Sequence, residues 1–465
     1  MAHASQPDLS RAADTVKAGA PSNWTRTLAA AICSLGGMTF GYDLGAMSGA
    51  TQGLMHSFAL SPALFGLTMS ASLWGALCAS LIAGRLADII GRRGLLAGCA
   101  LFYALAAGGL ASPISLPWIL ALALRLLSGI TVGGFVVGCP LYLAEIAPRA
   151  LRGRFVGWFQ VQIGTGVVLA FIVSDILVRT LPEAAVWKWC FGLGAVPSVC
   201  LLALLHWVPE EPHWLAGRGR WLEARSAADR LDLSNEEWPR QGDAAMIKLA
   251  SPSSQERLFC RKYLRLLMLA TSIALFNQLC GVNILRVYLL DLLSSSGMGP
   301  AMSHTYAVLI SCLNLVALML GMMVVDRLGR KPLLVVGSAG MSLCMLALSL
   351  AIRNQVVAVF YLVILVAYNT FFAFSQGAVA WVYLSEIFPF SVRGKGQSYG
   401  ASVHWLTNAA LIWIFPVLQH AAPQASFLLF AFMMVLQVVI VLRWYPETKG
   451  TRLGAVAEVA EHPEM

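Results

Sequence analysis

Residues 142–154 read YLAEIAPRALRGR and residues 383–395 read YLSEIFPFSVRGK, so one motif occurs twice, 241 residues apart. Residues 88–96, DIIGRRGLL, recur at 326–334 as DRLGRKPLL, and WVPE at 207–210 recurs as WYPE at 444–447. Three motifs repeated in the same order at nearly constant spacing predict an internal duplication, with one related unit in each half of the chain.

The composition is that of a membrane protein. Of the 465 residues, 58% are hydrophobic and 12% are charged, whereas a soluble domain has about 25% charged residues. Twelve apolar stretches are long enough to cross a bilayer as helices, which predicts an all-α membrane protein. The stretches are 27–50, 64–84, 94–112, 117–143, 155–179 and 188–208, followed by 263–293, 303–325, 332–352, 357–384, 396–419 and 424–445.

These stretches divide the chain into five parts. We expect an N-terminal segment (1–26), a six-helix bundle (27–208), a linker with short amphipathic helices (209–262), a second six-helix bundle (263–445) and a tail (446–465). Of the 32 Lys and Arg residues, 27 lie in or beside the two terminal segments, the linker and the loops after spans 2, 4, 8 and 10. Because basic loops stay in the cytoplasm, both termini and the linker are predicted to be cytoplasmic. The net charge of +9 then faces anionic lipid, and no nucleic-acid partner is expected.

Several other classes of function are disfavoured. The ten cysteines contain no CxxC pair and lie mostly within apolar stretches, so neither a disulfide framework nor a metal site is expected. No phosphate-binding loop, metal-ligand spacing or nucleophile constellation is present, so we expect neither an enzyme nor a bound cofactor. The polar first twenty residues lack the apolar core of a cleaved signal peptide.

Six short motifs resemble those of the sugar porter family of the major facilitator superfamily. The resemblance extends from about residue 26 to residue 452. It implies two six-helix bundles, with interfacial helices, around a central site that opens alternately to the two sides of the membrane. The motifs are GRLADIIGRR (84–93), PEEPHWL (209–215), NQLCGVN (277–283), DRLGRK (326–331), SEIFPFSVRGKG (385–396) and PETKG (446–450).

The repeated loops carry acids at fixed spacings from bases in both halves. Topology alone requires only Lys and Arg, so the paired charges predict a cytoplasmic latch that holds the outward-open state. The alternative is that these are topogenic charges with local helix capping. The resemblance supports the latch and adds a glutamate of the linker, although Ile89 and His213 depart from the family pattern. The latch residues are Asp88, Arg92, Arg93, Glu145, Arg152, Arg154, Glu210, Asp326, Arg330, Glu386 and Arg393.

Of the charged residues inside predicted spans, we single out Asp43, Arg125 and Arg286. Asp43 in span 1 and Arg125 in span 4 fall at similar depths if both helices rise 1.5 Å per residue, so the two side chains can meet. A static salt bridge is one reading. The resemblance implies another, because Asp43 matches the proton-coupling aspartate of symporters in this family. Arg286, near the outer end of span 7, is expected to extend to the outer headgroups, and Tyr288 matches one of two gating tyrosines.

Uncharged polar side chains occur within several spans and predict a polar cavity suited to a polyhydroxylated solute. The alternative for each amide is a bond between helices. The resemblance implies sugar contacts for Gln160, Gln278, Asn283, Asn314, Trp381 and Trp405. The predicted substrate-binding site also includes Asn277, Gln376 and His404, which lie nearby and depart from the family pattern. Gly281 and Gly377 are expected to permit local unwinding of spans 7 and 10.

The sequence therefore predicts a monomeric transporter that imports a monosaccharide, either a pentose or a hexose, together with a proton as the coupling ion. We place it in a bacterial inner membrane. Three alternatives stay open: a passive sugar facilitator, a symporter of a polyol such as inositol, and a sugar sensor that does not transport.

Overall fold

The computed structural model describes residues 24–148, 151–233, 257–354, 357–389 and 392–449, apart from the side chains at positions 152, 153, 326, 358, 385 and 393.

Each of the twelve predicted stretches is helical, and we number the spans 1 to 12 in chain order. Spans 1 to 5 are Trp24–Phe58, Pro62–Ile90, Arg92–Leu110, Trp118–Ile146 and Arg152–Thr180, and span 6 comprises Glu183–Gly192, Ala195–Leu204 and Leu205–Trp207. Span 7 comprises Leu264–Leu279, Val282–Val287 and Leu289–Ser295, and spans 8 and 9 are Pro300–Leu328 and Arg330–Asn354. Span 10 comprises Ala358–Phe372, Ala373–Gly377 and Ala378–Glu386, and spans 11 and 12 are Arg393–Ala421 and Pro423–Trp444.

Length and hydropathy qualify eleven helices among the described residues as membrane spans. Span 1 has 35 residues, more than enough to cross a bilayer, yet it is absent from the eleven. It is rich in Gly, Ser and Thr, which lower its mean hydropathy. Most of its residues are buried by neighbouring helices, so it depends less on apolar contact with lipid.

We call the side that carries the loops after spans 2, 4, 8 and 10 the basic face, and the other side the opposite face. Two short helices, Pro212–Gly217 and Trp221–Arg230, lie at the basic face. They are held against the first half because the Trp214 indole N–H donates to the carbonyl oxygen of Asp88 at 2.8 Å. Arg218 donates to the same carbonyl at 3.0 Å.

The hydrophobic core differs between the two faces. Toward the opposite face, one continuous cluster joins both halves and includes Phe65 of span 2 and Tyr288 of span 7. Toward the basic face, each half has a separate cluster, one around Tyr142 and the other around Tyr383. The two halves therefore pack together mainly at the opposite face.

Span 7 is interrupted at Gly281, as the sequence predicts. The local unwinding expected at Gly377 is not observed, because this residue has helical dihedral angles (φ = −64°, ψ = −41°) and span 10 continues through it. The first helix of span 7 ends at Leu279, and Gly281 has φ = +87°, a conformation that costs glycine little and other residues much more. Span 10 contains a π-helical turn at Ala373–Gly377. Such turns often mark functional sites, because they redirect side chains without ending the helix.

Candidate transport site

The first half contains a buried ion pair between spans 1 and 4. Arg125 Nη1 lies 2.7 Å from Asp43 Oδ1, and both side chains are less than 5% exposed. The Tyr103 hydroxyl donates to the same carboxylate oxygen at 3.1 Å, and Arg125 Nη2 donates to Ser72 Oγ at 2.9 Å. The guanidinium also lies over the ring of Phe191, 4.3 Å from its centroid. The carboxylate therefore has two polar partners, Arg125 and Tyr103, but almost no contact with solvent.

The two charges of this buried pair depend on each other. Taking two charges out of water costs several kcal/mol per ion, and mutual attraction offsets this only while the two groups remain in contact. If Arg125 moves away, the Asp43 carboxylate loses its nearest compensating charge. Arg125 Nε is buried and has no hydrogen-bond partner among the described residues, so the guanidinium is not fully satisfied in this arrangement.

The second half contains a connected chain of amides. Gln278 Nε2 donates to Asn277 Oδ1 at 2.9 Å, and Asn283 Nδ2 donates to Gln278 Oε1 at 2.9 Å. Gln278 lies in the last turn of the first helix of span 7 and Asn283 in the first turn of the second, so the break at Gly281 places both amides in one network. Asn277 Nδ2 continues the chain to Gln376 Oε1 in the π-helical turn of span 10, at 3.5 Å.

Gln437 in span 12 extends this chain. Gln376 Nε2 donates to Gln437 Oε1 at 2.6 Å, and the Ser338 hydroxyl of span 9 donates to the same oxygen at 3.0 Å. Gln376 is therefore fixed from behind by a partner that the sequence pattern does not single out. The only signal available in the sequence is that Gln437 is a lone amide in the apolar run of span 12.

An aromatic cluster lies beside the amides. The Gln278 amide nitrogen can only donate, so the His404 ring nitrogen 3.1 Å away accepts from it. The His404 ring packs against Trp381 at a centroid distance of 5.0 Å and against Trp405 at 5.4 Å. Trp405 also contacts Phe40 of span 1, in the other half, at 5.6 Å. These rings provide an apolar surface next to hydrogen-bonding groups.

Some polar atoms near the interface of the two halves have no hydrogen-bond partner within the described chain. Buried polar atoms are nearly always paired, so unpaired ones mark places that a ligand or water can occupy. Gln160, by contrast, has a partly exposed side chain for which no bond is described. The unpaired atoms are Gln162 Oε1 in span 5, Asn314 Oδ1 in span 8, and Trp405 Nε1 and Asn408 Oδ1 in span 11.

The expectation that Arg286 extends to the headgroups is wrong. Its guanidinium turns inward, where Nη1 lies 3.4 Å from Asn283 Oδ1 and Cζ lies 5.2 Å from the centroid of Phe372 in span 10. Phe372 is buried and directly precedes the π-helical turn. Arg286 therefore belongs to the same neighbourhood as the amide chain.

The opposite face is sealed by contacts between the halves. The ring of Tyr288 lies between Phe65 of span 2 at 6.3 Å and Phe415 of span 11 at 4.9 Å. Asp291 of span 7 accepts a hydrogen bond from Gln52 Nε2 of span 1 at 2.6 Å. The sequence reasoning did not single out Asp291, although an acid within a predicted span is a signal of function.

The duplicated motifs form two equivalent ion pairs at the basic face. Arg92 Nη2 lies 3.0 Å from Glu145 Oε1, and Arg330 Nη2 lies 2.8 Å from Glu386 Oε1. Each pair joins a loop to the end of the span two further on within the same half. Asp88 pairs with Arg92 at 3.1 Å and is mostly exposed.

A second carboxylate binds each loop through the backbone. Glu210 Oε1 accepts from the Arg93 N–H at 3.1 Å, and Glu447 accepts from the N–H groups of Arg330 and Lys331, both at 3.0 Å. Burial acts to raise the pKa of Glu447, but these backbone donors hold that pKa below its ordinary value. Glu447 is not among the latch residues predicted from the sequence. The recurrence of residues 207–210 at 444–447 is the signal that identifies it as the counterpart of Glu210.

The remaining latch residues contribute less to this picture. Arg154 is exposed near the start of span 5. The side chains of Arg152, Asp326 and Arg393 lie outside the described part of the chain, so their predicted roles stay predictions. His213 pairs with Glu211 at 2.6 Å, and the Glu211 carboxylate caps the helix Pro212–Gly217.

Known proteins are similar to this chain in both sequence and fold. Residues 29–460 match the family model described as sugar (and other) transporter. The glucose transporter GlcP of Staphylococcus epidermidis is 32% identical over 428 residues, which cover 91% of this chain and 94% of that protein. The D-xylose-proton symporter of Escherichia coli K12 is 27% identical, with coverage of 91% and 93%.

Among solved structures, the inward open conformation of the xylose transporter XylE from E. coli superimposes with a TM-score of 0.81. The two chains are 26% identical, and the match covers 92% of this chain and 98% of that one. The twelve spans, the duplicated motifs and the family match agree. The chain belongs to the sugar porter family of the major facilitator superfamily and is a multi-pass membrane transporter.

Proposed function

We propose that this protein imports a monosaccharide together with a proton by alternating access. In this proposal the basic face is cytoplasmic, the protein works as a single chain in a bacterial inner membrane, and the sugar crosses chemically unchanged. Sugar and proton occupy separate places, the sugar among the amides of the second half and the proton on Asp43 in the first half.

The buried pair of Asp43 and Arg125 is the observation that carries proton coupling. The Asp43 carboxylate has almost no solvent contact and lies 2.7 Å from Arg125, so its negative charge is compensated only while the two groups stay in contact. Relative movement of the helices that changes this contact therefore changes the affinity of Asp43 for a proton. With a neutral sugar, one proton carries one charge inward, which supplies about 2.3 kcal/mol per 100 mV, or about 50-fold accumulation.

The amide chain and the aromatic cluster support a sugar as the solute. Amides can donate to and accept from hydroxyl groups, and indole rings can cover the C–H face of a sugar ring. Gln278 and Asn283 lie in one hydrogen-bonded network with Trp405 nearby. The names of the relatives, a glucose transporter and a D-xylose-proton symporter, point to the same class of solute.

The packing supports a state open to the cytoplasm. The halves share one hydrophobic cluster at the opposite face and keep separate clusters at the basic face. Tyr288 and Asp291 close the opposite face through contacts with the first half. The likeness to an inward open conformation agrees with this assignment.

Uptake of radiolabelled solutes into proteoliposomes tests the proposal. We would compare pentoses, hexoses and inositol, each with and without an inward proton gradient, and then add an uncoupler. Symport predicts accumulation above the external concentration that collapses with the uncoupler. Equilibration that is indifferent to the gradient would identify a facilitator and contradict coupling, whereas accumulation of inositol alone would replace the sugar with a polyol.

A further inference from the structure

Arg286 is a cation inside the second half, and no acidic partner for it lies among the described residues. Its described polar contact is Asn283 Oδ1 at 3.4 Å, and its other close contact is the face of the Phe372 ring at 5.2 Å. Among the residues that the structure describes, Arg286 forms no ion pair. A guanidinium has five N–H donors, so most of its hydrogen-bonding capacity is unused here.

Two arginines of the first half, by contrast, are compensated by an acid. Arg125 is paired with Asp43 at 2.7 Å, and Arg179 is paired with Asp175 at 2.8 Å. The acid nearest to Arg286 along the same span is Asp291, which instead accepts from Gln52 of the first half at 2.6 Å. A charge placed within a membrane is costly, and it usually pairs with another charge or marks a substrate pathway.

The position of Arg286 connects it to the solute site. Asn283 bonds on one side to Gln278, the centre of the amide chain, and on the other side to Arg286. A solute that binds Gln278 and Asn283 therefore lies next to a residue that the Arg286 guanidinium contacts directly. Amides alone suit a neutral sugar, whereas amides beside an uncompensated arginine suit a sugar that also carries a negative charge.

We propose that Arg286 selects monosaccharides that carry a carboxylate, so that the preferred solute is a sugar acid of the hexuronate class. This inference rests on the proposed transport function and specifies its substrate. The planar fork of arginine matches a carboxylate with two parallel hydrogen bonds, and in a water-poor site the charged pair is stronger than contacts between neutral groups. The hydroxyl groups of the same solute remain with the amides.

The proposal changes the energetics of transport. A neutral sugar with one proton moves one positive charge, so membrane potential drives its uptake. A monovalent sugar acid with one proton moves no net charge. Its accumulation therefore follows the pH gradient and is indifferent to the membrane potential.

The test uses pairs of solutes that differ only at C6, where a carboxylate replaces the hydroxymethyl group. We would measure uptake of glucose and glucuronate, and of galactose and galacturonate, by the full chain in proteoliposomes. Arg286→Leu removes the cation, and Arg286→Lys keeps the charge without the fork. Arg265→Leu is the matched control, because it removes an exposed arginine from the same span at the basic face. A potential imposed with valinomycin and potassium, at equal pH on both sides, provides an independent readout on the unaltered protein.

We expect the unaltered protein to prefer each sugar acid over its neutral counterpart and to accumulate it independently of the potential. Losing one partner of a buried charge pair costs at least about 2 kcal/mol, so Arg286→Leu should weaken uptake of the acids by about 30-fold or more. Uptake of the neutral sugars should be much less affected, Arg286→Lys should be intermediate, and Arg265→Leu should behave as the unaltered protein.

Three results would overturn the inference. Transport of neutral sugars without competition by the acids would remove the sugar-acid selection and leave the proposed transport function standing. An equal loss of both solute types in Arg286→Leu would make Arg286 structural. Failure to transport any sugar, neutral or acidic, would remove the proposed function as well.

Discussion

The two halves contact each other at the opposite face, and we call this contact the seam. Replacement of Gly66 by alanine should open it. Gly66 in span 2 lies against the backbone of Trp413 in span 11, so this contact joins the two halves. A Cβ atom at residue 66 would lie 2.1 Å from the Trp413 carbonyl oxygen and 3.0 Å from its carbonyl carbon. Because both atoms belong to the backbone, rotation of a side chain cannot relieve the clash.

The size of the effect follows from this geometry. The added Cβ atom would lie about 1.3 Å closer to the Trp413 carbonyl oxygen than ordinary van der Waals contact allows, so spans 2 and 11 must separate by roughly that amount. Overpacking of this kind costs about 1–3 kcal/mol. The cost applies only while the seam is closed, so it should reduce the population of the sealed state about 5-fold to 150-fold relative to the state open at the opposite face.

A reporter cysteine measures this shift. Ser48 of span 1 is buried in the seam, where its hydroxyl accepts from the Leu290 N–H at 3.3 Å. We would introduce Ser48→Cys into protein in which the more accessible native cysteines are replaced by serine, and then follow labelling by a membrane-impermeant maleimide. The cysteines to be replaced are Cys78, Cys200, Cys260 and Cys312.

The matched control is Gly84→Ala. Gly84 belongs to the same span, and a Cβ added there would meet nothing within 4 Å. We expect faster labelling in Gly66→Ala and unchanged labelling in Gly84→Ala. Equal labelling rates in the two variants would refute the idea that close backbone contact at Gly66 holds the opposite face shut.

Three further predictions concern the site and the basic face. Gln278→Leu removes the centre of the amide chain and should raise the KM of uptake about tenfold or more, since each lost hydrogen bond is worth about 1 kcal/mol; an unchanged KM would exclude Gln278 from the solute site. Glu447→Gln should lower the Tm at pH 7, because the lowered pKa of Glu447 means that its ionised form stabilises the fold. This stabilisation is complete above the ordinary pKa of a glutamate and is lost as the pH falls through the lowered pKa of Glu447. The Tm difference between the unaltered protein and Glu447→Gln should therefore shrink in acid. A Tm difference that grew in acid would contradict the stabilising role of the ionised carboxylate. Glu386→Gln weakens the pair with Arg330 and should change the labelling of a cysteine at the basic face, whereas labelling equal to that of the unaltered protein would argue against a latch.

Much of the fold follows from the sequence, because hydropathy and duplication are local properties of the chain. Twelve apolar stretches predict twelve helices, and each appears in the structure. The repeated motifs also identify equivalent ion pairs, since Arg92 with Glu145 and Arg330 with Glu386 occupy matching positions. Span 1 shows how hydropathy alone falls short: neighbouring helices bury much of its polar and glycine-rich surface, so its composition understates its place in the bundle.

The direction of individual side chains was harder to predict. The expectation that Arg286 reaches the headgroups rests on its position along span 7, whereas span 7 breaks at Gly281 and again after Val287. Depth counted at a constant rise per residue therefore fails beyond the first break. Gln437 was missed for a related reason, since its partner Gln376 comes within reach only when the π-helical turn of span 10 packs against span 12.

The central claim is that Asp43 couples solute movement to proton movement, and sugar-driven proton flux tests it most directly. Proteoliposomes containing a trapped pH-sensitive dye would be given the solute identified by uptake, with no initial pH gradient. Asp175→Asn is the matched control. Like Asp43, Asp175 pairs with an arginine, but its partner Arg179 lies in the same span and the pair is more exposed to solvent. We predict that the solute acidifies the lumen in the unaltered protein and in Asp175→Asn, whereas Asp43→Asn exchanges solute without moving protons. Proton flux that survives in Asp43→Asn, or solute entry without proton flux in the unaltered protein, would contradict coupling through Asp43.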